Sequence, residues 1–271
     1  FNRPEFDRYA RFNSWGSARE TFTWEDMCEI KIELPPIDIQ EKYVSVYKSM
    51  LSNLEAYEQG LEDLKLACDA TIEYLMHDTS SKKISDYIVI YDERNKSLKY
   101  NADQVKGITI QRKFISTKAN LEGVNLRSYK CVPQFSFAYI ADTSRRGEKI
   151  SLAYNTDLEV VLVSSISTVF RIKENAELLP DYLFIYFNRP EFDRYARFHS
   201  WGSARETFTW EDLIEVEIPI PDMKIQQSIV NIYNAYIARM GIIEKSRSLI
   251  NDICPVLIKG SLEEVSSGEK F

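Results

Sequence analysis

The chain has 271 residues, 44% of them hydrophobic and 28% charged, an ordinary globular balance that excludes a disordered polymer and predicts one or two domains. Asp and Glu (41) outnumber Lys and Arg (34), and the net charge of −7 with a pI near 5.2 argues, on average, against a nucleic-acid partner. No apolar run reaches membrane-spanning length and the opening FNRPEF is unlike a signal peptide, so a cytoplasmic chain with four reduced cysteines and no membrane contact is expected.

The N-terminal segment is half of a repeat. Residues 1–27 read FNRPEFDRYARFNSWGSARETFTWEDM and residues 187–213 read FNRPEFDRYARFHSWGSARETFTWEDL, differing only at Asn13/His199 and Met27/Leu213. The pattern continues without a gap: Pro35 lies over Pro221, Gln40 over Gln226 and Tyr47 over Tyr233. A unit this long is a duplicated domain-plus-linker rather than a solenoid repeat, and only the tail of its first copy is present, in residues 1–34. Recent recombination or an engineered join would both account for so sharp an identity. The absence of an initial Met reads as a fragment.

A long helix is predicted over 35–78. Asp38 with Glu41 looks like a capping box, and the residues Tyr43, Tyr47, Met50, Leu54, Tyr57, Leu61, Leu64, Cys68, Thr71 and Leu75 alternate four and three apart, the seam of a coiled coil. At about 1.5 Å per residue such a helix is roughly 55–60 Å long, about one and a half turns of DNA. A second helix over 221–262 keeps the register at Ile229, Tyr233, Tyr236, Met240, Ile243, Ile250, Cys254 and Leu257, with Arg247 as an intruder and Pro255 expected to kink or end it; residues 263–271 form a tail. Each stripe needs a cover, and the two helices are each other's nearest candidates. Cys68 and Cys254 hold equivalent seam positions and read as packing residues.

Between the helices, residues 84–220 read as one mixed domain. Strand-like runs occur at 87–91, 107–115, 135–141, 149–154 and 160–172, then a helical stretch over 180–198 broken at Pro190, and a last strand at 215–221. The fold class is therefore α+β: a strand-rich domain plus two long helices packed as an antiparallel coiled coil.

The acidity is unevenly spread. From Arg94 to Lys149 twelve basic residues face four acids, so a basic, aromatic-interleaved lobe stands on an acidic scaffold. Such a lobe suits a DNA reader, and equally an ordinary β domain with Lys and Arg on its exposed faces. The candidate DNA-binding residues are Arg112, Lys113, Lys118, Arg127, Lys130, Arg145, Arg146 and Lys149. The cluster Thr143-Ser144-Arg145-Arg146-Gly147 reads as a loop offering arginine forks to phosphate or guanine. Ser203 and Arg205, in Gly202-Ser203-Ala204-Arg205, are further candidates, although the same string serves as a tight turn with Arg205 paired to an acid. Because residues 16–19 repeat it identically, a structural or subunit-docking role is the better account. Trp201 and Trp210 read as buried aromatics before base-stackers, and His199 as a surface or core residue.

Taken together, these pieces resemble the specificity subunit of type I restriction-modification systems. The resemblance rests on YKCVPQFSFAYIADTSRRGEKISLAYN (129–155), VLVSSISTVFRI (161–172), PDYLFIYFNRPEF (180–192), GSARETFTWEDL (202–213) and IPIP leading to Gln226, in this order. It implies recognition domains alternating with helices, each domain reading half of a split site on double-stranded DNA. The helices would then be a ruler and a docking surface for modification subunits, which carry S-adenosylmethionine, while separate restriction subunits cleave. With most of a first recognition domain missing, two copies of the chain could pair to rebuild a symmetric site.

Catalytic signatures are missing. There is no NPP[YF] string, no Walker A loop, no HExxH and no GxSxG, and the spacing of Cys to His77 or His199 suggests no metal site. Glu29-Ile30-Lys31 fits a nuclease ExK only superficially, since Glu215-Val216-Glu217 lies over it. The expectation is a non-catalytic chain without its own cofactor or metal. The alternatives are a helical assembly or dimerisation module, or an orphan recombination fragment that does not read DNA productively.

Overall fold

Two long helices and a strand-rich lobe make up the computed structural model, which describes residues 4–17, 19–78, 80–117, 119–143, 149–203 and 205–268. The chain divides into two compact units, one of Phe1–Asp63 with Tyr236–Phe271 and one of Leu64–Ala235.

The first unit contains α1 (Pro4–Phe12), α2 (Trp24–Cys28), the start of α3 (Ile37–Asp78) and most of α7 (Met223–Gly268). The helical segments run antiparallel. Near the start of α3, Lys42 pairs with Glu264 at 2.8 Å and the Tyr43 hydroxyl donates to the same carboxylate at 3.1 Å. Further along, Glu58 accepts from Arg247 at 2.7 Å and Tyr57 lies under Arg239 at 5.8 Å. The expected seam residues Tyr43, Tyr47, Met50, Leu54 and Leu61 are the half-buried positions of this stretch, as are Met240 and Cys254 on α7, where Ile243 and Ile250 are buried. The seam deviates from expectation at Arg247. Ser246 takes the inward position and Arg247 stays exposed, reaching sideways to Glu58, because a guanidinium is cheaper at a wet flank than within an apolar stripe. Pro255 does not end α7. The helix continues through it to Gly268, so the predicted boundary at 262 falls short, and a missing N–H donor is tolerated at a position half open to water.

The second unit is built on a four-stranded antiparallel sheet of order β2-β9-β6-β7, made of β2 (Ile88–Ile90), β9 (Thr168–Ile172), β6 (Ser136–Ile140) and β7 (Ser151–Tyr154). Its centre is set by cross-strand register. Phe137 on β6 faces Tyr154 on β7 and Phe170 on β9, and its ring stacks on both, at 4.7 and 4.9 Å between centroids. Helix α4 (Pro180–Phe187) closes this face, with Phe187 edge-on to Phe137 at 5.9 Å. The other face alternates to small residues, Ala138, Ala153 and Val169, which pack on Ile108, Val132 and Val163. Those come from the strand pairs β3 (Lys106–Ile108) with β4 (Phe114–Ser116) and β5 (Lys130–Val132) with β8 (Val161–Val163). With both faces covered, β6 reads as a near-continuous apolar run rather than an alternating one.

Several boundaries move. The run 107–115 is a hairpin, not one strand, and 160–172 divides into β8 and β9. Strand β1 (Ser81–Lys83) lies before the expected start at 84 and pairs with β10 (Glu217–Pro219). The helical stretch breaks where Pro190 begins α5 (Pro190–Phe198), as proline favours a first helical position. Within this unit Leu64 is half-buried, Cys68 is buried on α3, and Tyr233 is half-buried beside the lobe core. Gln226, at the start of α7, is wholly buried. Its side chain accepts from the Leu179 N–H at 2.8 Å and donates to the carbonyls of Glu177 at 3.0 Å and Pro221 at 2.8 Å.

Candidate nucleic-acid interface

The basic lobe begins with the β3–β4 hairpin. Its turn is closed by Thr109, whose N–H donates to the Lys113 carbonyl at 3.1 Å, and Arg112 there has φ +62°. This left-handed backbone, costly for a residue with a Cβ, sends the Arg112 side chain inward while Lys113 stays outside. The Arg112 guanidinium donates to the Ile150 carbonyl at 2.5 Å, pairs with the Asp193 carboxylate on α5, and lies 5.6 Å from the Phe192 ring. Asp193 also accepts from the Ile150 N–H at 3.1 Å. Burial lowers the Arg112 pKa and Asp193 opposes that shift, so the cation persists in a buried, paired state. Arg112 is therefore not a surface reader. It ties the hairpin to α5 and to the residue preceding β7.

Lys130 is also drawn in. Its ammonium lies 2.9 Å from Asp92, which pairs with Arg94 at 3.2 Å as well. The hydrogen bond from Lys130 holds the Asp92 carboxyl below its ordinary range against the effect of desolvation, and Arg94 adds to it. On the same strand edge, burial and the neighbouring Glu93 push the Tyr91 hydroxyl up to about 12. Lys113, Arg127 and Lys149 are exposed and make no ion pair among the described residues. Lys118, Arg145 and Arg146 lie outside the described residues.

Ser203 and Arg205 are exposed on a tight loop after α5. The loop is pinned by Trp201 and Thr207, whose backbones exchange hydrogen bonds of 3.1 and 3.0 Å. Gly202 has φ +140°, and a Cβ there would collide with the Arg205 carbonyl oxygen. The loop rests against the lobe through Thr143, whose N–H donates to the Glu206 carbonyl at 2.9 Å. The acid expected beside Arg205 is instead the partner of Arg197, which pairs with Glu206. Trp201 is exposed rather than buried, while Trp210 packs on Phe170 at 5.6 Å. His199 stacks on Tyr195 at 4.0 Å and its Nδ1 lies 2.9 Å from the Tyr195 carbonyl oxygen.

Thus the structure leaves Lys113, Arg127, Lys149, Ser203 and Arg205 at the surface and withdraws Arg112 and Lys130 into ion pairs. Sequence reasoning missed the acids responsible, Asp193 and Asp92. The exposed Phe198 at the end of α5 was missed too, though the repeat marked it by copying it at Phe12. No cluster of three His, Cys, Asp or Glu side chains placed to hold a metal occurs among the described residues, and no described helix is long and apolar enough to cross a membrane.

Compared with protein families, residues 76–252 match the model of the type I restriction modification DNA specificity domain. Among solved structures the chain is similar to a type I restriction-modification system S subunit from M. genitalium, with a TM-score of 0.54 and 13% identity, over 95% of this chain and 72% of that one. It is also similar to the HsdS subunit from Thermoanaerobacter tengcongensis, with a TM-score of 0.50 and 13% identity, over 94% of this chain and 66% of that one. At such identities the likeness is one of fold, and the chain spans about two thirds to three quarters of those subunits' length. No curated protein matches it.

Proposed function

This chain belongs to the family of type I restriction-modification DNA specificity domains, and we propose that it acts as the sequence reader of such an enzyme. The 84–220 domain reads one half-site on double-stranded DNA, with Lys113, Arg127 and Lys149 on its outer face and the loop containing Arg145 and Arg146 beside them. The observation that carries this reading is the family match itself, which runs across the whole lobe and into both long helices. Exposed, unpaired cations on that lobe are what a phosphate-facing surface needs in an otherwise acidic chain.

In this reading the chain performs no chemistry. Methyl transfer and S-adenosylmethionine belong to modification subunits, cleavage belongs to restriction subunits, and the complex works in the cytoplasm. The antiparallel helices set the spacing between half-sites. Residues 1–34 are the closing segment of another recognition domain: Phe192 and Phe208 sit in the lobe core, whereas their copies Phe6 and Phe22 are only half-buried. Gln40 shows the same loss, keeping the bond to Pro35 that matches Gln226 to Pro221.

The test is methyl transfer to a random DNA library by this chain mixed with the modification subunit of its system. Adenine methylation at one defined sequence is expected, and a palindromic sequence would mean that two copies pair. A stable protein complex that methylates no defined sequence would refute the reading role and leave an assembly module or an orphan fragment.

A further inference from the structure

The repeat places one segment in two environments, and the comparison separates its surfaces. Side chains that face the lobe change: Phe192 and Phe208 are buried where Phe6 and Phe22 are not. Others stay out in both copies. Phe198 is 74% and Trp201 64% exposed, and their copies Phe12 and Trp15 are 80% and 71% exposed. The loop they flank is also the same twice. Trp15 and Thr21 exchange the backbone bonds that Trp201 and Thr207 exchange, and Gly16 has φ +150° where Gly202 has +140°. This loop therefore holds its shape without the lobe, and its aromatic side chains serve neither core. Arg19 and Arg205 are exposed in the same loops and make no ion pair among the described residues.

We propose that Phe198, Trp201 and Arg205 in one copy, and Phe12, Trp15 and Arg19 in the other, are two equivalent docking sites for one protein partner, the modification subunit. This rests on the reading above that such a subunit binds the chain. Charge argues for protein over DNA. Residues 4–34 carry seven carboxylates against four cations and residues 190–220 seven against three, a surface that repels a phosphate backbone. Exposed Phe and Trp beside an unpaired Arg are the composition of a protein-interface hot spot, and the arginine calls for a carboxylate at the rim of the partner's apolar pocket. Two equal sites imply two copies of the partner per chain, held by the repeated loops and not by the helices alone.

The experiment titrates the full chain with the modification subunit, reading stoichiometry and affinity by calorimetry and native mass spectrometry. Variants are F12A/W15A, F198A/W201A and the four combined; since these side chains are exposed, the thermal midpoint should stay unchanged. The chain is expected to bind two subunits, each double variant one, and the quadruple variant none, or at least about tenfold more weakly. DNA affinity of the chain alone should not move. A quadruple variant that still binds two subunits with unaltered affinity overturns the proposal, as does one that loses DNA affinity instead. If the unaltered chain binds no modification subunit, the functional reading fails and this proposal falls with it.

Discussion

Substituting Asp193 by Asn removes the carboxylate that neutralises Arg112 beneath the β3–β4 hairpin. The Arg112 side chain is 5% and the Asp193 side chain 13% exposed, so neither charge can recover its hydration by a small movement. Breaking a buried pair from one side costs about 3–5 kcal/mol, mostly from the stranded charge. For a domain of this size that lowers the thermal midpoint by roughly 10 °C. Removing both charges with R112M/D193N strands neither, so the double variant should lose much less than the sum of the single ones. The repeat supplies an internal control: Asp7 is the copy of Asp193, is exposed, and makes no ion pair among the described residues. D7N should therefore stay within about 0.5 kcal/mol of the unaltered chain. Urea unfolding of the five proteins reads these differences directly. Equal effects of D193N and D7N, or strict additivity in the cycle, would refute a buried pair at this position.

Three more outcomes follow from the same structure. Q226L leaves the Leu179 N–H and the Glu177 and Pro221 carbonyls without their partner and should cost roughly 2–4 kcal/mol, against under about 1 kcal/mol for Q40L, read by the same urea titrations. Asp92 titrates below the ordinary carboxyl range, so its contribution is present above the unfolded carboxyl value of about 3.9 and is lost as pH falls through the lower folded value. D92N should accordingly lower the thermal midpoint at pH 7 and converge on the unaltered chain at the acid end, and a gap that persists there would contradict the Lys130–Asp92 assignment. The triple variant K113A/R127A/K149A should flatten the salt dependence of DNA binding by about 0.9 per phosphate contact removed, and an unchanged slope would move the phosphate contacts elsewhere.

The helices were legible because their signal is periodic and long. Leu61 and Leu64 could be placed from spacing alone, and only where one side chain had a better option, as Arg247 did beside Glu58, did the seam depart from its register. Near Thr71 the stripe also shifts by one, with Ile72 the buried residue, since a straight helix drifts against a seven-residue repeat. Three-residue strands such as β1 and β5 carry too little alternation to be read and exist through their partners β10 and β8. Among the candidate DNA contacts, Lys113 and Arg112 are neighbours in sequence and opposite in fate. Nothing local marks Arg112 as the inward one, because its backbone angle and its partner Asp193 are set by tertiary structure 81 residues away. The exposed Phe198 and Trp201 were obscured for the opposite reason, as aromatic residues are expected inside.

Duplication of the closing segment also has a kinetic side. A lobe that has formed its sheet but not yet received α5 faces two nearly identical strings, differing only at Asn13/His199 and Met27/Leu213, so contact energy barely discriminates between them. Connectivity makes the choice. Phe187 ends α4 and Pro190 begins α5, and a joint this short holds residues 190–220 beside the lobe at an effective concentration that a segment tethered through α3 cannot match. The brevity of that joint is thus a proofreading element, and lengthening it with a flexible insert would let the two strings compete for the same seat.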